Sequence, residues 1–315
     1  MRTLEEHRAA VEARINDWCG ALPPAALYEP MAYLMRLPAK RVRPVATLMA
    51  CEALGGDPKS ALDVALGVEL FHNFTLMHDD IMDRSPTRRG QPTVHVRWNE
   101  NTAILSGDAM LVKAYQCMGA DPRVLQVFNR YALEVCEGQD MDMAFEHRGG
   151  VGAEEYMAMI RRKTAVLLAC AFELGAIKAG GQEGQQAALG RFGEKLGLAF
   201  QLRDDHIDAF GDPRVTGKQR GGDLRAGKKT WLLIRGLELE QGTGALTEAM
   251  QQASVARDIG AMIDALVRLG VRDASDALIR SLEEQAMAQL DALGVPEPRK
   301  APLRALALGL MGRSA

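Results

Sequence analysis

Apolar residues recur with the period of an α-helix along most of the chain. Thr3 and Glu6 have the spacing of a capping box, which predicts a helix that begins after Thr3 and ends near Gly20. Near the other end one helical face is apolar and the opposite face is charged, and its apolar positions are Ile279, Leu282, Ala286, Leu290 and Leu293. No segment alternates between apolar and polar residues as a half-buried strand does. The pattern predicts an all-α fold.

Several central segments are apolar on more than one helical face, namely 61–83, 101–118, 155–178 and 187–210. Helices of this kind are surrounded by other helices, so we expect a bundle. The polar breaks that predict loops are 55–58, 84–92, 148–152, 180–184 and 211–227. None has the length or composition of an interdomain linker, and we therefore expect residues 1–315 to form a single domain.

Composition excludes several classes of protein. The chain is 47% hydrophobic and 25% charged, and its net charge of −3 with no sustained basic stripe argues against a nucleic-acid binder. The sequence contains no run of eighteen apolar residues, so it predicts no membrane span. The N-terminus lacks the apolar core of a secretory signal. Five scattered cysteines without CxxC spacing are typical of thiols in a reducing compartment. We expect a cytoplasmic protein.

Two aspartate clusters lie within otherwise apolar helical segments. The first occupies residues 79–83 (Asp-Asp-Ile-Met-Asp) and the second residues 204–208 (Asp-Asp-His-Ile-Asp). Residues four apart share a helical face, and like charges at that spacing destabilise a helix unless something neutralises them. A hard divalent cation with oxygen ligands is the expected neutraliser. By contrast, Asp140 and Asp142 are interpreted as a solvated or capping pair, with a position near a cavity of the bundle as the alternative.

Basic residues accompany both clusters: Lys40, Arg41, Arg43, Arg88, Arg89, Lys163, Lys218, Lys228 and Lys229. Magnesium held by carboxylates, together with arginine and lysine donors, is what a bound diphosphate requires. Glycine-rich nucleotide motifs and the kinase motifs are absent from the sequence, which makes a nucleotide phosphate the less favoured ligand.

The ordered set of motifs resembles the trans-type isoprenyl diphosphate synthases, head-to-tail prenyltransferases that include farnesyl and geranylgeranyl diphosphate synthases. The matching pieces are Lys40-Arg41-Val42-Arg43-Pro44, His72, the first aspartate cluster, Arg88-Arg89-Gly90, Gly107-Asp108, Lys163-Thr164, Gln201 with the second cluster, Lys218, and Gly227-Lys228. The resemblance implies an all-α helical bundle around a central cavity and a homodimer. It also implies condensation of isopentenyl diphosphate with dimethylallyl, geranyl or farnesyl diphosphate, with release of diphosphate.

The resemblance also assigns roles by motif position. It implies three Mg²⁺ ions with the ligands Asp79, Asp83, Asp204 and Asp208. It implies an allylic diphosphate site that contains Arg88, Lys163, Thr164, Gln201, Lys218 and Lys228. These residues, with Asp79, Asp83 and Asp204, are the catalytic candidates. It implies an isopentenyl diphosphate site that contains Lys40, Arg43, His72 and Arg89.

Product length is predicted from the residues before the first cluster. Phe71 and Phe74 at helical spacing would by default be core residues. Phe74, however, precedes Asp79 by five positions, about 7–8 Å along the helix axis, where the family places the residue that limits the hydrocarbon tail. Smaller Thr75 follows it, and no residues are inserted within the first cluster. This combination resembles short-chain synthases that make geranylgeranyl diphosphate, with farnesyl diphosphate as the alternative product.

Two other functions compete. A class I terpene cyclase shares the fold and the first cluster but usually has an Asn/Asp-x-x-Ser/Thr-x-x-x-Glu second site, which differs from residues 204–208. A non-catalytic subunit of a heteromeric synthase typically loses aspartates from one cluster, whereas this chain keeps all six. Both comparisons favour the synthase.

Overall fold

The computed structural model describes residues 1–216 and 219–312. The chain divides into two compact units. Unit 1 comprises Met1–Arg130, Cys170–Gly190 and Leu293–Leu303. Unit 2 comprises Tyr131–Ala169, Arg191–Ala292 and the residues from Arg304 onward. The single domain predicted for residues 1–315 stays a prediction.

Helices account for nearly all of the regular structure. The elements up to residue 118 are α1 (Leu4–Gly20), α2 (Glu29–Arg36), α3 (Val42–Ala53), a 3₁₀ turn (Pro58–Ala61), α4 (Leu62–Met82), β1 (Thr87–Arg88), β2 (Gln91–Pro92), α5 (Val94–Arg97) and α6 (Glu100–Met118). Those that follow are α7 (Pro122–His147), α8 (Ala153–Ile160), a π-helical turn (Arg161–Ala165), α9 (Val166–Lys178), α10 (Glu183–Phe210), α11 (Pro213–Thr216), α12 (Gly222–Ala226), α13 (Trp231–Glu240), α14 (Ala245–Met250), a 3₁₀ turn (Ser254–Ala256), α15 (Ile259–Arg268), α16 (Val271–Asp291) and α17 (Glu297–Met311). The predicted all-α class is confirmed.

Local sequence signals explain where several helices begin. The Thr3 hydroxyl accepts a hydrogen bond from the Glu6 backbone N–H (3.2 Å), and the Glu6 carboxylate accepts one from the Thr3 N–H (2.6 Å). The predicted capping box of α1 is therefore confirmed. The Asn99 side chain caps α6 in the same manner, because its Oδ1 accepts from the Thr102 N–H at 2.8 Å.

Helix α4 is the central helix of unit 1. It packs against α1, α3 and α6, and most of its residues from Val64 to Asn73 are buried. Two glycines permit its close approach to α6. A Cβ on Gly67 would lie 2.6 Å from Met118 Cε, and a Cβ on Gly107 would lie 2.2 Å from His78 Nε2. The helix that ends in the first aspartate cluster is thus held on several sides, as its multi-sided apolar pattern predicted.

The core of unit 2 supports the second cluster. One group of buried residues packs α10 against α8, α13 and α16 through Tyr156, Leu198, Leu202, Ile234 and Ile279. A second group holds the short helices α12 to α15 through Leu224, Leu233, Leu246, Met262 and Leu266.

Two predicted loops contain regular structure. Within 84–92, β1 and β2 pair antiparallel, with Arg88 opposite Gln91. Arg89 (φ 53°) and Gly90 (φ 75°) both have positive φ, as a type I′ hairpin turn requires. Within 211–227, α11 and α12 form. In the described residues no helix combines the length and apolar content that crossing a bilayer requires.

Candidate active site

The first aspartate cluster forms the last turn of α4. Asp83 is the C-cap residue, and its backbone N–H donates to the Asp79 carbonyl at 2.8 Å. The last turn of α4, all of it described, contains no basic residue. Three carboxylates therefore stand at the negative end of the helix dipole, where they repel one another and the terminal carbonyls. This arrangement favours binding of a cation.

The middle aspartate of this cluster has a different environment from its neighbours. Asp80 is only 2% exposed, and its two oxygens accept from Arg88 Nε (2.8 Å) and Nη2 (2.7 Å). This bidentate pair fixes the guanidinium plane of Arg88 on strand β1. Asp79 is partly exposed and Asp83 is exposed. Asp80 therefore orients Arg88, while the outer two aspartates remain accessible to solvent.

Arginines surround His72 on α4. Arg43 Nη1 lies 3.3 Å from His72 Nε2. Burial and the positive charges of Arg43 and Arg89 hold the pKa of His72 well below its ordinary value, so the ring is neutral near pH 7. Arg43 Nε and Arg89 Nη1 are buried and have no hydrogen-bond partner among residues 1–216 and 219–312. Buried donors without acceptors are costly, and an anion with several oxygens would satisfy them.

The two arginines of the Lys40–Pro44 segment have different hydrogen-bond partners. Arg41 has φ 49°, is buried, and donates from Nη1 to Glu69 (2.7 Å) and from Nε to Glu12 (2.8 Å). It also donates to the carbonyls of Met35 and Leu37. Its donors are thus committed to the protein, and they anchor the segment that presents Arg43. Lys40 is exposed at the start of this segment.

The second cluster lies on α10 and has the same internal division. Asp205 is 4% exposed and accepts from the Tyr156 hydroxyl and from Gln201 Nε2 (3.0 Å). Burial raises the pKa of Asp205 to about 7, against the opposing effect of those two hydrogen bonds. Asp204 is exposed. The middle aspartate again binds protein groups.

Asp208 binds the backbone of α12. Its Oδ2 accepts from the Asp223 N–H at 2.9 Å, and its carbonyl accepts from the Gly221 N–H at 2.7 Å. A carboxylate at this position satisfies otherwise unpaired N–H groups at a helix start. Asp208 therefore connects the second cluster to the segment that leads to Lys228.

Lys163 and Thr164 lie on the π-helical turn. Lys163 Nζ donates to Asp142 Oδ2 at 2.5 Å, and Thr164 Oγ1 donates to Gln201 Oε1 at 3.3 Å. Asp142, interpreted from the sequence as a solvated or capping residue with a position near the cavity as the alternative, is partly exposed and is brought to Lys163 by α7. Thr164, Gln201 and Asp205 thus form one hydrogen-bonded series.

The remaining basic residues are partly described. Lys228 directly follows Gly227, and its backbone N–H donates to the Asp223 carbonyl at 2.9 Å. Lys229 donates to the carbonyls of Phe145 and Arg148 at the end of α7. The predicted site residue Lys218 lies outside the described residues.

Phe74 belongs to a series of aromatic contacts. Its ring centroid lies 5.6 Å from that of Phe71, which lies 5.3 Å from Phe128, and Phe128 lies 5.0 Å from Tyr115 on α6. Thr75 is partly buried, and its hydroxyl donates to the His72 carbonyl at 2.8 Å. Phe74 itself is partly exposed, whereas Phe71 and Phe128 are buried. The buried rings support Phe74 from one side.

The carboxylates suit Mg²⁺ shared with a phosphate ligand. In the described part of the chain no three His, Cys, Asp or Glu side chains converge on one metal position. Mg²⁺ commonly binds one or two carboxylates plus substrate phosphates and water, without an all-protein cage. The accessible oxygen donors of Asp79, Asp83 and Asp204 fit that mode.

Glu69 and Tyr156 belong to no motif of the sequence, and the sequence pattern assigns no supporting role to Arg41 or Asp142. Each acts through a partner distant in the chain, as Tyr156 does through Asp205, 49 positions away. Only a structure brings such pairs together.

Comparison with known proteins identifies the family. The model of the polyprenyl synthetase family matches residues 24–266. Geranylgeranyl diphosphate synthase of Methanosarcina mazei is 41% identical over 242 residues, which cover 75% of this chain and 75% of that protein. (2E,6E)-Farnesyl diphosphate synthase of Mycobacterium tuberculosis is 36% identical over 88% of this chain and 80% of that protein. A crystal structure of a geranylgeranyl pyrophosphate synthase aligns with a TM-score of 0.93 at 41% identity and covers 100% of both chains. The chain belongs to the polyprenyl synthetase family.

Proposed function

We propose that this isoprenyl diphosphate synthase joins isopentenyl diphosphate head-to-tail to an allylic diphosphate, and that its main product is geranylgeranyl diphosphate. The observation that carries the proposal is the group of Arg43, His72 and Arg89, in which the buried, unsatisfied Arg43 Nε and Arg89 Nη1 call for a polyanionic ligand beside the first aspartate cluster. The geranylgeranyl product is supported by relatives of that name. The dimethylallyl, geranyl and farnesyl diphosphates are the proposed allylic substrates.

The proposed metal ligands follow the motif positions. Members of the family are generally Mg²⁺-dependent. The proposed ligands of three Mg²⁺ ions are Asp79, Asp83, Asp204 and Asp208. When bound, the ions would withdraw electron density from the departing diphosphate.

The chain's own residues would bind and orient both substrates. Asp80 fixes the guanidinium plane of Arg88, which presents its remaining N–H donors to the allylic diphosphate. Thr164 and Asp205 orient Gln201. The lysines proposed for that diphosphate are Lys163, Lys218 and Lys228. Those for isopentenyl diphosphate are Lys40, Arg43, His72 and Arg89.

The reaction breaks the allylic C–O bond and forms one C–C bond. The electron pair of the breaking bond leaves with diphosphate, and the isopentenyl double bond attacks the allylic cation. The released diphosphate accepts the proton that restores a double bond. Basic side chains stabilise the negative charge that develops on the leaving group.

Product analysis tests the proposed reaction. Purified protein is incubated with Mg²⁺, labelled isopentenyl diphosphate and each allylic diphosphate in turn, and the dephosphorylated prenols are separated. Geranylgeraniol as the main product supports the proposal. Cyclic hydrocarbons without incorporated label would indicate a terpene cyclase, and the absence of product would indicate a non-catalytic subunit.

The two substrate sites should respond to different mutations. Arg43→Ala or His72→Ala is expected to raise the KM for isopentenyl diphosphate about tenfold or more, because each removes a donor to that diphosphate. The KM for the allylic substrate should change much less. Steady-state kinetics with each substrate varied in turn measures both. A rise confined to the allylic KM would contradict the assignment.

We propose that Phe74 and Thr75 limit chain length. Phe74 is the partly exposed ring of the aromatic series, and the buried Phe71 and Phe128 support it from behind. A tail that reached such a ring could extend only by displacing packed aromatic groups, which costs free energy as overpacking does. Farnesyl diphosphate is the second candidate product because the farnesyl diphosphate synthase of Mycobacterium tuberculosis matches 88% of this chain.

Phe74→Ala is expected to lengthen the product. Removal of the ring opens space for at least one more isoprene unit, while the aspartates and arginines stay in place. Chromatography of the prenols from wild type, Phe74→Ala and the ring-preserving Phe74→Tyr measures the shift. Identical profiles for wild type and Phe74→Ala would locate the limit elsewhere.

We also propose a homodimer in the cytoplasm, with residues 1–315 acting as a single domain. Apolar side chains on α6 support the dimer, since Ile104, Leu105, Val112 and Tyr115 are all exposed along that helix. A second copy that covered them would remove this apolar area from water.

A further inference from the structure

Charged side chains from other elements hold the short helix α12 at both ends. At its start, the Asp208 carboxylate accepts from the Asp223 N–H at 2.9 Å. At its end, Arg257 Nη1 donates to the Arg225 carbonyl at 2.7 Å and lies 3.5 Å from the Leu224 carbonyl. An anion at the first turn and a cation at the last both match the helix dipole and satisfy unpaired backbone groups.

Arg257 joins α12 to a second helix. Its Nε donates to the Ala249 carbonyl, 3.2 Å away in the last turn of α14. One guanidinium therefore binds the carboxyl ends of two helices. Leu224 of α12 is 1% exposed and packs in the same core as Leu246 and Met262. These contacts fix α12 against the core of unit 2.

The turn after α12 lies directly on this guanidinium. Gly227 has φ 72°, and a Cβ at this position would lie 2.6 Å from Arg257 Nη1. The Gly227 N–H donates to the Leu224 carbonyl (3.1 Å) and the Lys228 N–H to the Asp223 carbonyl (2.9 Å). This is the hydrogen-bond pattern of a Schellman motif, which needs a left-handed residue at the position of Gly227. The backbone of Lys228 is thus set by a turn that Arg257 supports.

We propose that Arg257 is a positioning residue for the allylic diphosphate: it locks α12 and so fixes where Lys228 begins relative to Asp208. The inference rests on the proposed function, in which Lys228 contacts that diphosphate and Asp208 belongs to the second aspartate cluster. A lysine has a flexible four-carbon stem, so its effectiveness depends on the placement of its backbone. Arg257 itself does not touch substrate.

Kinetics of an Arg257 series tests the proposal. Arg257→Ala is expected to raise the KM for the allylic diphosphate about tenfold and to leave the KM for isopentenyl diphosphate within about twofold. Arg257→Lys keeps the charge and a donor for one carbonyl, and should recover part of the loss. Arg235→Ala is the matched control, because it removes a partly exposed arginine that pairs with Glu238 on α13. An unchanged allylic KM, or equal rises in both KM values, would overturn the proposal.

A double-mutant cycle separates positioning from a general structural effect. If Arg257 acts through Lys228, Arg257→Ala should add less than about twofold to the allylic KM in a Lys228→Ala background. Full additivity would overturn the proposal. A silent Lys228→Ala would overturn the proposed role of Lys228 and this inference with it, whereas a clear Lys228→Ala effect with a silent Arg257→Ala would overturn the inference alone. If circular dichroism shows that Arg257→Ala does not fold, Arg257→Lys and Arg257→Gln enter the same cycle and are judged by the same outcomes.

Discussion

Replacement of Asp79, Asp83 or Asp204 with alanine is expected to lower turnover about a thousandfold, which corresponds to a loss of about 4 kcal/mol of transition-state stabilisation. Each substitution removes oxygen ligands from a proposed ion beside the leaving diphosphate. The stability of α4 should increase, because the substitutions remove negative charge (Asp79 or Asp83) from the negative end of its helix dipole. Circular dichroism and thermal unfolding should therefore show an intact fold in variants whose steady-state turnover has nearly vanished.

The control for this experiment lies on the same helix. Asp63 occupies the first turn of α4, where it is exposed and pairs with Arg14 at 2.9 Å, and Asp63→Ala should retain normal turnover. EDTA should abolish the activity of the wild type, and added Mg²⁺ should restore it. If Asp204→Ala kept near-normal turnover at saturating Mg²⁺, the proposal that both clusters bind metal would fail.

The fold was predictable wherever local sequence determines local structure. The capping box of α1 depends on two residues three positions apart, and the apolar patterns of α4 and α10 repeat within each helix. The type I′ hairpin was missed because its turn needs positive φ at both Arg89 and Gly90. Only the glycine is a residue type that indicates positive φ in a sequence. Helix α12 was missed because five residues are too few to show a period.

The residue types of the site were predictable from the sequence. Which of them bind other protein groups and which are left for a ligand was not. Both arginines belong to the Lys40–Pro44 motif, and the resemblance implies a substrate-binding role for Arg43 without saying what Arg41 does. The structure commits Arg41 to Glu12 and Glu69 and leaves Arg43 with a buried, unsatisfied Nε. Those acceptors come from other helices, so the difference depends on tertiary packing.

Helix packing also explains the placement of Lys163. The packing depends on Gly138, which belongs to none of the sequence motifs. A Cβ on Gly138 of α7 would lie 2.2 Å from the Lys163 nitrogen and 2.7 Å from the Arg162 carbonyl carbon. On α10, a Cβ on Gly197 would lie 2.7 Å from Ala165 Cα. The π-helical turn that carries Lys163 and Thr164 thus has glycines of two helices against its backbone. π-Helical turns within α-helices often occur at functional sites, since they turn side chains away from the regular helical path.

Gly138→Ala is therefore expected to destabilise the protein by about 2 kcal/mol or more. Alanine favours a helix over glycine by about 1 kcal/mol, but overpacking costs about 1–3 kcal/mol, and more where the obstructing atoms are backbone. The Lys163 backbone cannot rotate away as a side chain could, so the π-helical turn must shift and carry Lys163 and Thr164 with it. Chemical denaturation followed by circular dichroism measures the free energy of unfolding, and kinetics should show a raised KM for the allylic substrate.

The matched control is Gly184→Ala in the first turn of α10, where an added Cβ would meet no described atom within 4 Å and should be neutral or stabilising. Equal stability of the two variants would mean that the π-helical turn yields without cost, and that Gly138 does not determine where Lys163 lies.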